Sequence, residues 1–298
     1  MPVTVGITTR DRPESLQRCL ASLQQLRDLA AVLVFDDGST PAVGTNVSTD
    51  RIPVRVIRDD SGVGYIAGRN RLVAEAATPY VLLLDDDAAL IRGEAVSRAC
   101  AVLDADPRVG AVAFAQAEAD GRPWPERMQP GRSDVAAVVP SFIGFAHLLR
   151  RELFLSLGGY RERLKFYGEE KDYCLRLMDA GYRVVFLPDA LVAHIVDPAG
   201  RSQSRYVRYV IRNDLFTSFH TEPMALAIAG MPLRLWRYTR MAKGIVGGDK
   251  GGLTWILSEL WRAWPEIRRV RKPVAWATIR TWRRLARQSA PYLGAESA

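Results

Sequence analysis

Three consecutive aspartates, Asp85, Asp86 and Asp87, follow directly on the apolar run 80–84. An apolar run of this length is typical of a strand that is buried on both faces of a sheet. Carboxylates crowded at the end of such a strand repel one another unless a cation or several hydrogen-bond donors compensate their charge. Hard divalent cations take oxygen ligands. The pattern therefore favours a metal or nucleotide site over the alternative, solvated acids at a strand end.

Two other polar clusters also follow strand-like segments. Thr8, Thr9 and Arg10 end the first segment, and residues 36–39, of sequence Asp-Asp-Gly-Ser, end the second. Ligands of open parallel sheets bind outside the carboxyl ends of the strands. One polar cluster at a strand end is ordinary, but three on one edge of a sheet indicate a binding site.

The elements that must position these clusters alternate through the first 200 residues. Strand-like runs cover 3–8, 31–36, 54–58, 80–84, 110–115 and 183–187. Helix-like patterns lie near 13–26, 66–77, 93–104 and 170–180. This alternation predicts an α/β fold with an open, mostly parallel sheet and helices on both of its faces.

The alternation stops near residue 201, and the rest of the chain reads as a helical region. We expect its helices to break at proline and glycine positions. These positions are Pro223, Pro232, the glycine pairs 247–248 and 251–252, and Pro273.

The positive charge of the chain is concentrated in this C-terminal region. The net charge is +8, but residues 201–298 hold 18 Lys and Arg against 6 Asp and Glu, so residues 1–200 carry −4. Six of the seven tryptophans lie there as well: Trp236, Trp255, Trp261, Trp264, Trp276 and Trp282. Trp interleaved with Arg on helices suits a lipid headgroup interface, so an anionic membrane surface is an expected partner. The alternative is a helical subdomain that packs its Trp inward and leaves its Arg in solvent.

The cysteines and the apolar segments bear on the compartment. Cys19, Cys100 and Cys174 are far apart and give neither a disulfide framework nor a metal-ligand spacing. The chain opens on strand-like residues rather than a signal peptide, and no stretch reaches the roughly 18 apolar residues of a membrane span. We therefore expect a cytoplasmic protein, with peripheral attachment to the inner face of the membrane as an option.

Gly62, Gly64 and Ala67 match the Gly-x-Gly-x-x-Ala fingerprint of dinucleotide-binding sites. Residues 59–61 separate this segment from its strand, however, and it lies in the third strand–helix unit rather than the first. A triple aspartate also differs from the single acid that reads a ribose hydroxyl. An NAD-dependent oxidoreductase is therefore kept only as an alternative function.

Five segments together resemble glycosyltransferase family 2, whose members are inverting sugar transferases with the GT-A fold. The segments are 7–13, 34–40, 68–70, 84–87 and a fifth group made of 158–160, 168–176, 181–182 and His194. Each segment alone is weak, but their order and spacing are specific. The resemblance implies a GT-A type nucleotide-sugar-binding catalytic domain at 1–220, followed by the basic, Trp-rich helical region at 221–298.

The resemblance also implies roles for residues near the predicted edge of the sheet. Asp37 would accept a hydrogen bond from the imide N–H of uracil or thymine. Thr8 and Arg10 would line the same base pocket. Arg69 would face the base or the diphosphate.

The aspartate triplet would hold the rest of the donor. Asp85 and Asp86 would contact the nucleotide, with Asp86 at the ribose hydroxyls. Asp87 would bind the Mn²⁺ or Mg²⁺ that bridges the two phosphates. His194, seven residues beyond a strand-like run, resembles the second protein ligand of that metal, although a lone His is more often structural.

Glu169 and Glu170 are the candidate catalytic residues. Inverting transfer needs a base that takes the proton of the acceptor hydroxyl as its oxygen attacks the anomeric carbon. The family usually has Glu-Asp here and uses the second acid, which corresponds to Glu170, while Glu169 remains the alternative. Acids in the first turn of a helix are also favourable against the helix dipole without any catalytic role.

The resemblance implies a UDP- or dTDP-sugar as the donor and a carbohydrate or lipid-linked acceptor of surface polysaccharide or glycoconjugate assembly. We expect the acceptor to lie against residues 140–168, where 141–145, Phe166 and Tyr167 offer aromatic surface. A non-enzymatic nucleic-acid-binding protein is the second alternative. It would explain the basic region but not the acids, which repel phosphate, so we expect no nucleic-acid partner.

Overall fold

The computed structural model describes residues 2–26, 29–44, 53–196 and 202–294. In chain order the main elements are β1 (Val3–Thr9), α1 (Pro13–Ser22), β2 (Leu29–Asp36), β3 (Val54–Arg58), α2 (Tyr65–Glu75), β4 (Tyr80–Asp85), β5 (Ala88–Leu90), α3 (Glu94–Ala105), β6 (Val109–Ala117), β7 (Ala137–Val139), β8 (Ala146–Arg150), α4 (Arg151–Ser156), α5 (Glu169–Asp179), β9 (Arg183–His194), α6 (Gln203–Thr221), α7 (Met224–Ala242), α8 (Gly252–Val270), α9 (Trp276–Arg287) and β10 (Ala290–Pro291).

The strands form one mixed sheet. Within the described residues their order is β10-β7-β9-β6-β8-β4-β1-β2-β3, and β5 pairs with β9 outside this path. The segment β4-β1-β2-β3 is parallel throughout, and so is the β6–β9 pair. β8 runs antiparallel between β4 and β6, and β7, β5 and β10 also pair antiparallel. The predicted open sheet with helices on both faces is confirmed, and these four short antiparallel strands are additional to the prediction.

Helices cover both faces of the sheet because its central strands are apolar on both sides. Every residue of β1 and of β6 is buried. On one face α1 and α3 pack through Leu16, Leu20 and Leu103. On the other face α2 and α5 pack through Leu72 and Leu177. The polar residues at the strand ends therefore rest on a rigid, fully packed support.

β9 is longer than the sequence predicts and carries His194 as its last residue. The predicted run ended at residue 187, just before Pro188. The strand instead continues past a register shift opposite Phe114 and Ala115. Such an irregularity accommodates a proline within a strand. His194 is therefore a strand residue rather than a loop residue seven positions beyond a strand.

Pro232 does not break a helix, contrary to the prediction. It lies inside α7, as Pro265 lies inside α8. Pro232 is exposed, so its ring takes a solvent-facing position, and the helix continues with the loss of one backbone hydrogen bond. The other predicted breaks fall at helix ends or between helices. Pro223 precedes α7, and Pro273 separates α8 from α9. The glycine pair 247–248 lies between α7 and α8, and the pair 251–252 lies at the start of α8.

The C-terminal helices share a hydrophobic core with the sheet. α6 packs against both α7 and α8. Phe216 and Phe219 of α6 belong to the same buried cluster as Leu177 of α5 and Ile256 of α8. Across the described ranges, no helix is both long and apolar enough to cross a bilayer. The boundary at residue 220 stays a prediction, because a common core joins the two regions.

Arg212 on α6 fills the junction between α6 and α8. Its guanidinium carbon lies 4.6 Å from the ring centroid of Phe216, 4.8 Å from that of Tyr209 and 5.8 Å from that of Trp255. Its Nη1 atom is 3.8 Å from Glu259 Oε2. The buried charge is therefore stabilised by three aromatic rings and one carboxylate.

We expect Arg212→Ala to lower the free energy of unfolding by about 2–4 kcal/mol, because it leaves a cavity among the rings and removes the cation–π contacts. Urea unfolding measures this loss. Arg268→Ala, at an exposed position of α8, is the matched control and should change stability by less than about 0.5 kcal/mol. An equal loss of unfolding free energy in the two variants would contradict a specific stabilising role for Arg212.

Candidate active site

The three polar clusters meet at the carboxyl ends of β1, β2 and β4, as the sequence predicts. β1 lies between the other two strands, so Thr8 is in register with Phe35 on one side and with Asp85 on the other. Asp37 follows β2 and donates its backbone N–H to the Thr9 carbonyl at 3.0 Å. The candidate site is therefore built on the ends of three adjacent parallel strands.

Asp37 and Arg10 border one end of the site. Asp37 Oδ1 accepts a hydrogen bond from the Gly64 backbone N–H at 3.0 Å, and Asp37 Oδ2 lies 3.8 Å from Arg10 Nη1. Burial raises the pKa of Asp37, although the Gly64 bond and the Arg10 charge oppose it. A Cβ added to Gly62 would lie 2.7 Å from Arg10 Nη1. The glycine loop that suggested a dinucleotide site thus packs against the residues expected to line the base pocket.

Asp36, the neighbour of Asp37, has a structural role. It is fully buried, and its carboxylate accepts backbone hydrogen bonds from Ser39 at 2.9 Å and Val43 at 3.0 Å and pairs with Arg58. Burial opposes its ionisation, but the bonds from Ser39, Val43 and Arg58 outweigh burial and lower the pKa of Asp36. The first acid of the pair therefore fixes the loop after β2, and the second contacts Gly64.

The members of the aspartate triplet contact different partners. Asp86 is 4% exposed, and its carboxylate accepts hydrogen bonds from Thr9 Oγ1 at 2.8 Å and from Arg12 Nη1 at 3.2 Å. Burial raises the pKa of Asp86 to about 6, against the lowering effects of Thr9 and Arg12. Asp85 accepts a hydrogen bond from Arg69 Nη2 at 2.5 Å. These partners hold the first two carboxylates of the triplet in fixed positions.

Asp85, Asp87 and His194 form a group that could hold a divalent cation, with one donor atom from each within 4.8 Å of the others. His194 Nδ1 lies 2.7 Å from Gln116 Oε1, and Gln116 donates its amide N–H to the Met128 carbonyl, so its amide oxygen faces the ring. Nδ1 is therefore the nitrogen that donates to Gln116, and Nε2, 3.5 Å from Asp87 Oδ1, is the nitrogen that could bind a cation. Two carboxylates and a neutral imidazole fit Mn²⁺ or Mg²⁺.

The His194 ring is fixed by stacking as well as by hydrogen bonding. It lies between Trp124 and Phe145, with centroid distances of 5.4 Å and 4.9 Å. Neither Gln116 nor Trp124 belongs to a sequence segment that suggested a site. The one available signal was that Trp124 is the single tryptophan outside the basic region.

Two aromatic residues that we expected to contact the acceptor lie inside the protein. Phe145 is 2% exposed, and Phe142 is 3% exposed and stacks on His147 at 4.1 Å. They immediately precede β8, a strand that the sequence did not predict and that carries this segment into the core. Phe166 and Tyr167 are partly exposed and lie just before α5. Only this second half of the expected aromatic surface is accessible.

Arg69 on α2 joins the aspartate triplet to the glutamate pair. Its guanidinium donates to Glu169 Oε1 at 2.6 Å, to Asp85 Oδ1 at 2.5 Å and to the Gly144 carbonyl at 2.8 Å. The Arg69 side chain is 3% exposed. We expected it to face the base or the diphosphate, but it lies between two protein carboxylates. A contact between Arg69 and the nucleotide therefore stays a prediction.

Glu169 and Glu170 are the first two residues of α5, but their surroundings differ. The Glu169 side chain is fully buried against Arg69 and the Tyr65 hydroxyl, which donates to it at 3.3 Å. Glu170 is partly exposed, and its Oε1 accepts the Gly144 backbone N–H at 3.1 Å. Burial raises the pKa of both carboxyls, and the Arg69 charge opposes this. Glu170 is the member of the pair that reaches the surface.

Gly144 connects the two charged groups through its backbone. Its N–H binds Glu170, and its carbonyl accepts from Arg69. An added Cβ would lie 2.7 Å from Glu170 Oε1 and 3.0 Å from Arg69 Nη1. The close packing of the acid and the guanidinium therefore requires glycine at this position.

One side chain of α6 holds the loop 164–168 that precedes the glutamates. Lys165 and Tyr167 have φ angles of 59° and 64°, which are unfavourable for residues other than glycine. Asn213 is fully buried, and its two amide N–H groups are shared among three carbonyl oxygens of this loop, at 2.6 to 2.9 Å from Nδ2. The C-terminal part of the chain therefore helps to fix the start of α5.

Comparison with known proteins identifies related chains. A sequence model of glycosyl transferase family 2 matches residues 4–161. The chain is 31% identical over 208 residues to the pre-mycofactocin glycosyltransferase of Mycobacterium tuberculosis (strain H37Rv), a match that covers 64% of this chain and 42% of that protein. It is 29% identical over 238 residues to the N-acetylglucosaminyl-diphospho-decaprenol L-rhamnosyltransferase of the same strain, covering 65% and 75%. The chain thus spans less than half the length of the first of these relatives.

Solved structures share the fold. The chain superposes on S. aureus TarS 1-349 in complex with UDP-GlcNAc with a TM-score of 0.63 at 16% identity, covering 91% of this chain and 84% of that one. The mannosyltransferase PcManGT from Pyrobaculum calidifontis, in complex with GDP-Man and Mn²⁺, gives a TM-score of 0.57 at 18% identity, covering 96% and 79%. These likenesses confirm the predicted GT-A architecture.

We expect Asn213→Ala to reduce catalytic turnover by about tenfold or more, because the loop before the glutamates loses its hydrogen bonds. Nucleotide affinity should stay unchanged, because the strand ends expected to bind the nucleotide do not contact Asn213. Single-turnover kinetics and nucleotide titration separate the two effects, and hydrogen exchange should rise in 164–168. Ser218→Ala is the matched control, since it removes a buried hydrogen bond from the same helix to Glu222. An equal loss of turnover in both variants would contradict a specific role for Asn213.

Proposed function

The chain belongs to glycosyl transferase family 2, and we propose that it is an inverting, divalent-cation-dependent glycosyltransferase that uses a UDP- or dTDP-sugar. The observation that carries this proposal is the bridge made by Arg69 between Asp85 and Glu169. It sets a group suited to a cation and a diphosphate beside a pair of glutamates suited to proton transfer. The group that would bind the donor diphosphate and the group that would deprotonate the acceptor would then be held together by Arg69.

The donor base would bind at the end of the site formed by Thr8, Arg10 and Asp37. The imide N–H of uracil or thymine would donate to the Asp37 carboxylate, and the Arg10 guanidinium at 3.8 Å favours the ionised form of that carboxylate. A structural neighbour binds GDP-Man, so guanine nucleotides belong in any test. Asp85 and Asp86, at the end of β4, remain the proposed contacts to the rest of the nucleotide.

Asp85, Asp87 and His194 would hold the cation. Its charge would stabilise the negative charge that develops on the leaving diphosphate. The imidazole in the donor set favours Mn²⁺ over Mg²⁺, because Mg²⁺ prefers oxygen ligands. The hydrogen bond from His194 to Gln116 prepares this site before any cation binds.

Glu170 is the proposed catalytic base. Its carboxylate would take the proton of the acceptor hydroxyl while the hydroxyl oxygen attacks the anomeric carbon from the face opposite the diphosphate. The new bond to the acceptor forms as the bond to the diphosphate breaks, so the anomeric configuration inverts. Glu169 is less suited to this role, because it is fully buried and engaged by Arg69. It would act by holding Arg69 and the start of α5.

The acceptor would approach over the aromatic residues next to Glu170. Tyr167 packs edge-to-face on Tyr206, which is 43% exposed, and the Arg205 guanidinium carbon lies 4.5 Å from the Phe166 ring centroid. Exposed aromatic rings stack on sugars, and an arginine suits an anionic group. One relative is named for transfer to a diphospho-decaprenol carrier. We therefore propose a carbohydrate or lipid-linked acceptor in glycoconjugate assembly.

Donor class and metal dependence can be tested together by thermal shift with UDP, dTDP and GDP, each with and without Mn²⁺. We expect stabilisation by a pyrimidine nucleotide only when the metal is present, and a ligand at about 100 times its Kd adds roughly 2.7 kcal/mol. Asp87→Asn should remove the metal-dependent shift and abolish transfer, and Asp134→Asn, at an exposed acid in the segment before β7, should do neither. Full activity of Asp87→Asn, or of the enzyme in excess chelator, would exclude the metal mechanism.

We expect Glu170→Gln to bind the donor normally but to lose roughly 100-fold or more in kcat, the usual contribution of a positioned base. Glu169→Gln should lose less activity but more stability, because it leaves part of the buried Arg69 charge uncompensated. Nucleotide titration, kcat and thermal melting of both variants test this split. The reverse order of kcat losses would assign the base to Glu169.

The raised pKa of Glu170 predicts the pH dependence of the reaction. The base works only when deprotonated, so kcat/KM should fall as the pH drops through its pKa. The midpoint of this acidic limb should lie above about 4.3, the ordinary pKa of glutamate. A pH–rate profile with saturating metal measures it, and a limb centred at or below the ordinary value would contradict burial of the base in the active enzyme.

A further inference from the structure

The acidic residues that the structure describes in the basic C-terminal region are all paired with basic side chains. Within 202–294 each Asp or Glu lies within 4.0 Å of an Arg or Lys nitrogen. The pairs are Asp214–Arg234, Glu222–Arg234, Asp249–Arg208, Glu259–Arg262 and Glu266–Arg163. These pairs engage every described acid of the region but only part of its basic side chains. The remaining arginines and lysines therefore lie on other surfaces, away from these acids.

α9 carries the clearest part of this surplus. Arg280, Arg283, Arg284 and Arg287 are all exposed, and α9 contains no acid. No carboxylate oxygen of the described residues lies within 4.0 Å of their nitrogens, in contrast to the paired arginines of α6 and α7. Trp276, 52% exposed, begins the same helix. Because Trp276, Arg280, Arg283 and Arg287 are spaced by three or four residues, they form one stripe along the helix.

α7 presents a second stripe that is apolar as well as basic. Leu233 is 66% exposed and Trp236 is 55% exposed. Arg237 and Arg240 are exposed beside them, and the Arg240 guanidinium carbon lies 5.8 Å from the Trp236 ring centroid. Apolar side chains this exposed bury little surface within the protein, so they contribute little to the stability of the fold.

A groove of about 390 Å³ lies between α7 and α9. Leu226 and Arg234 of α7 line one side, and Trp282, Arg283 and Arg287 of α9 line the other. Arg283 and Arg287 belong to the α9 stripe, and Arg237 of the α7 stripe lies one helical turn beyond Arg234. The α9 stripe therefore lines the groove, and the α7 stripe lies one helical turn away from it. We define the Trp–Arg face by its members: Leu233, Trp236, Arg237 and Arg240 of α7, and Trp276, Arg280, Arg283 and Arg287 of α9.

We propose that the Trp–Arg face docks the protein on an anionic lipid bilayer. The uncompensated arginines match the negative headgroups, while Leu233, Trp236 and Trp276 insert at the level of the headgroups, where indole rings are favourable. A nucleic acid would match the arginines but would leave the exposed leucine and tryptophans without a partner. The inference does not depend on the transferase chemistry proposed above, because docking is measured without substrates.

The test is co-sedimentation with vesicles of neutral lipid alone and with about 30% anionic lipid, at about 0.1 M and about 0.5 M salt. We expect binding only to anionic vesicles and weaker binding at the higher salt. Each arginine contributes roughly a fivefold gain in partitioning, so the triple variant Arg280→Gln, Arg283→Gln, Arg287→Gln should bind about 100-fold more weakly. Leu233→Ser combined with Trp236→Ser should lose the binding that remains at the higher salt.

Matched controls separate the position of the charges from their number. Arg92→Gln, Arg98→Gln and Arg122→Gln remove the same charge from exposed positions of the catalytic domain and should leave vesicle binding intact. Arg280→Lys, Arg283→Lys and Arg287→Lys keep the charge and should also bind. Donor hydrolysis without vesicles reports separately on the active site. Failure of the wild type to sediment, equal losses in the two Gln triples, or binding to duplex DNA or RNA without binding to vesicles would each overturn the proposal.

Discussion

The buried guanidinium of Arg69 is the constraint on which the rest of the site depends. A charge that is 3% exposed must be paired, and Arg69 finds its partners on the end of β4, at the start of α5 and on the Gly144 carbonyl. Three elements that are distant in sequence are thereby held at hydrogen-bond distance. The spacing between the proposed metal ligands and the proposed base follows from the size of one side chain.

The same network leaves an excess of negative charge, which suits the proposed chemistry. Asp85, Glu169 and Glu170 share one guanidinium, and burial raises the pKa of both glutamates. The two glutamate carboxyls therefore hold protons more tightly than surface glutamates, which is what a base requires. On the other side, Asp85 and Asp87 lie close enough to His194 for a divalent cation to relieve their repulsion. Crowded and poorly hydrated carboxylates thus underlie both the proposed base and the proposed metal site.

The sequence was sufficient for the features that leave a local pattern. The parallel strands β1, β2 and β4 were predicted from their apolar runs, and the polar clusters at their ends do meet. The short strands β5, β7 and β8 were missed because three to five residues carry too little periodicity. Phe142 and Phe145 were misplaced for this reason, since the missed strand β8 draws them into the core.

The residues that position the catalytic groups were missed for a different reason. Asn213, Gln116 and Gly144 act through contacts across 26 or more residues of sequence, and no spacing rule joins them to their partners. Arg69 was noticed, but its direction depends on which buried carboxylates surround it. Such roles follow from tertiary packing alone, and the chain offers no local signal for them.

The C-terminal region shows why charge and aromatic content did not decide between its two interpretations. Trp255, Trp264 and Trp282 pack against the core, as the structural interpretation requires, while Trp236, Trp261 and Trp276 are exposed. Each of the described acids is paired with an arginine of the protein itself. What remains outside is cationic and partly apolar. The region that holds the loop before α5 through Asn213 therefore also presents a surface suited to an anionic interface, and the two roles lie on different helices, Asn213 on α6 and the Trp–Arg face on α7 and α9.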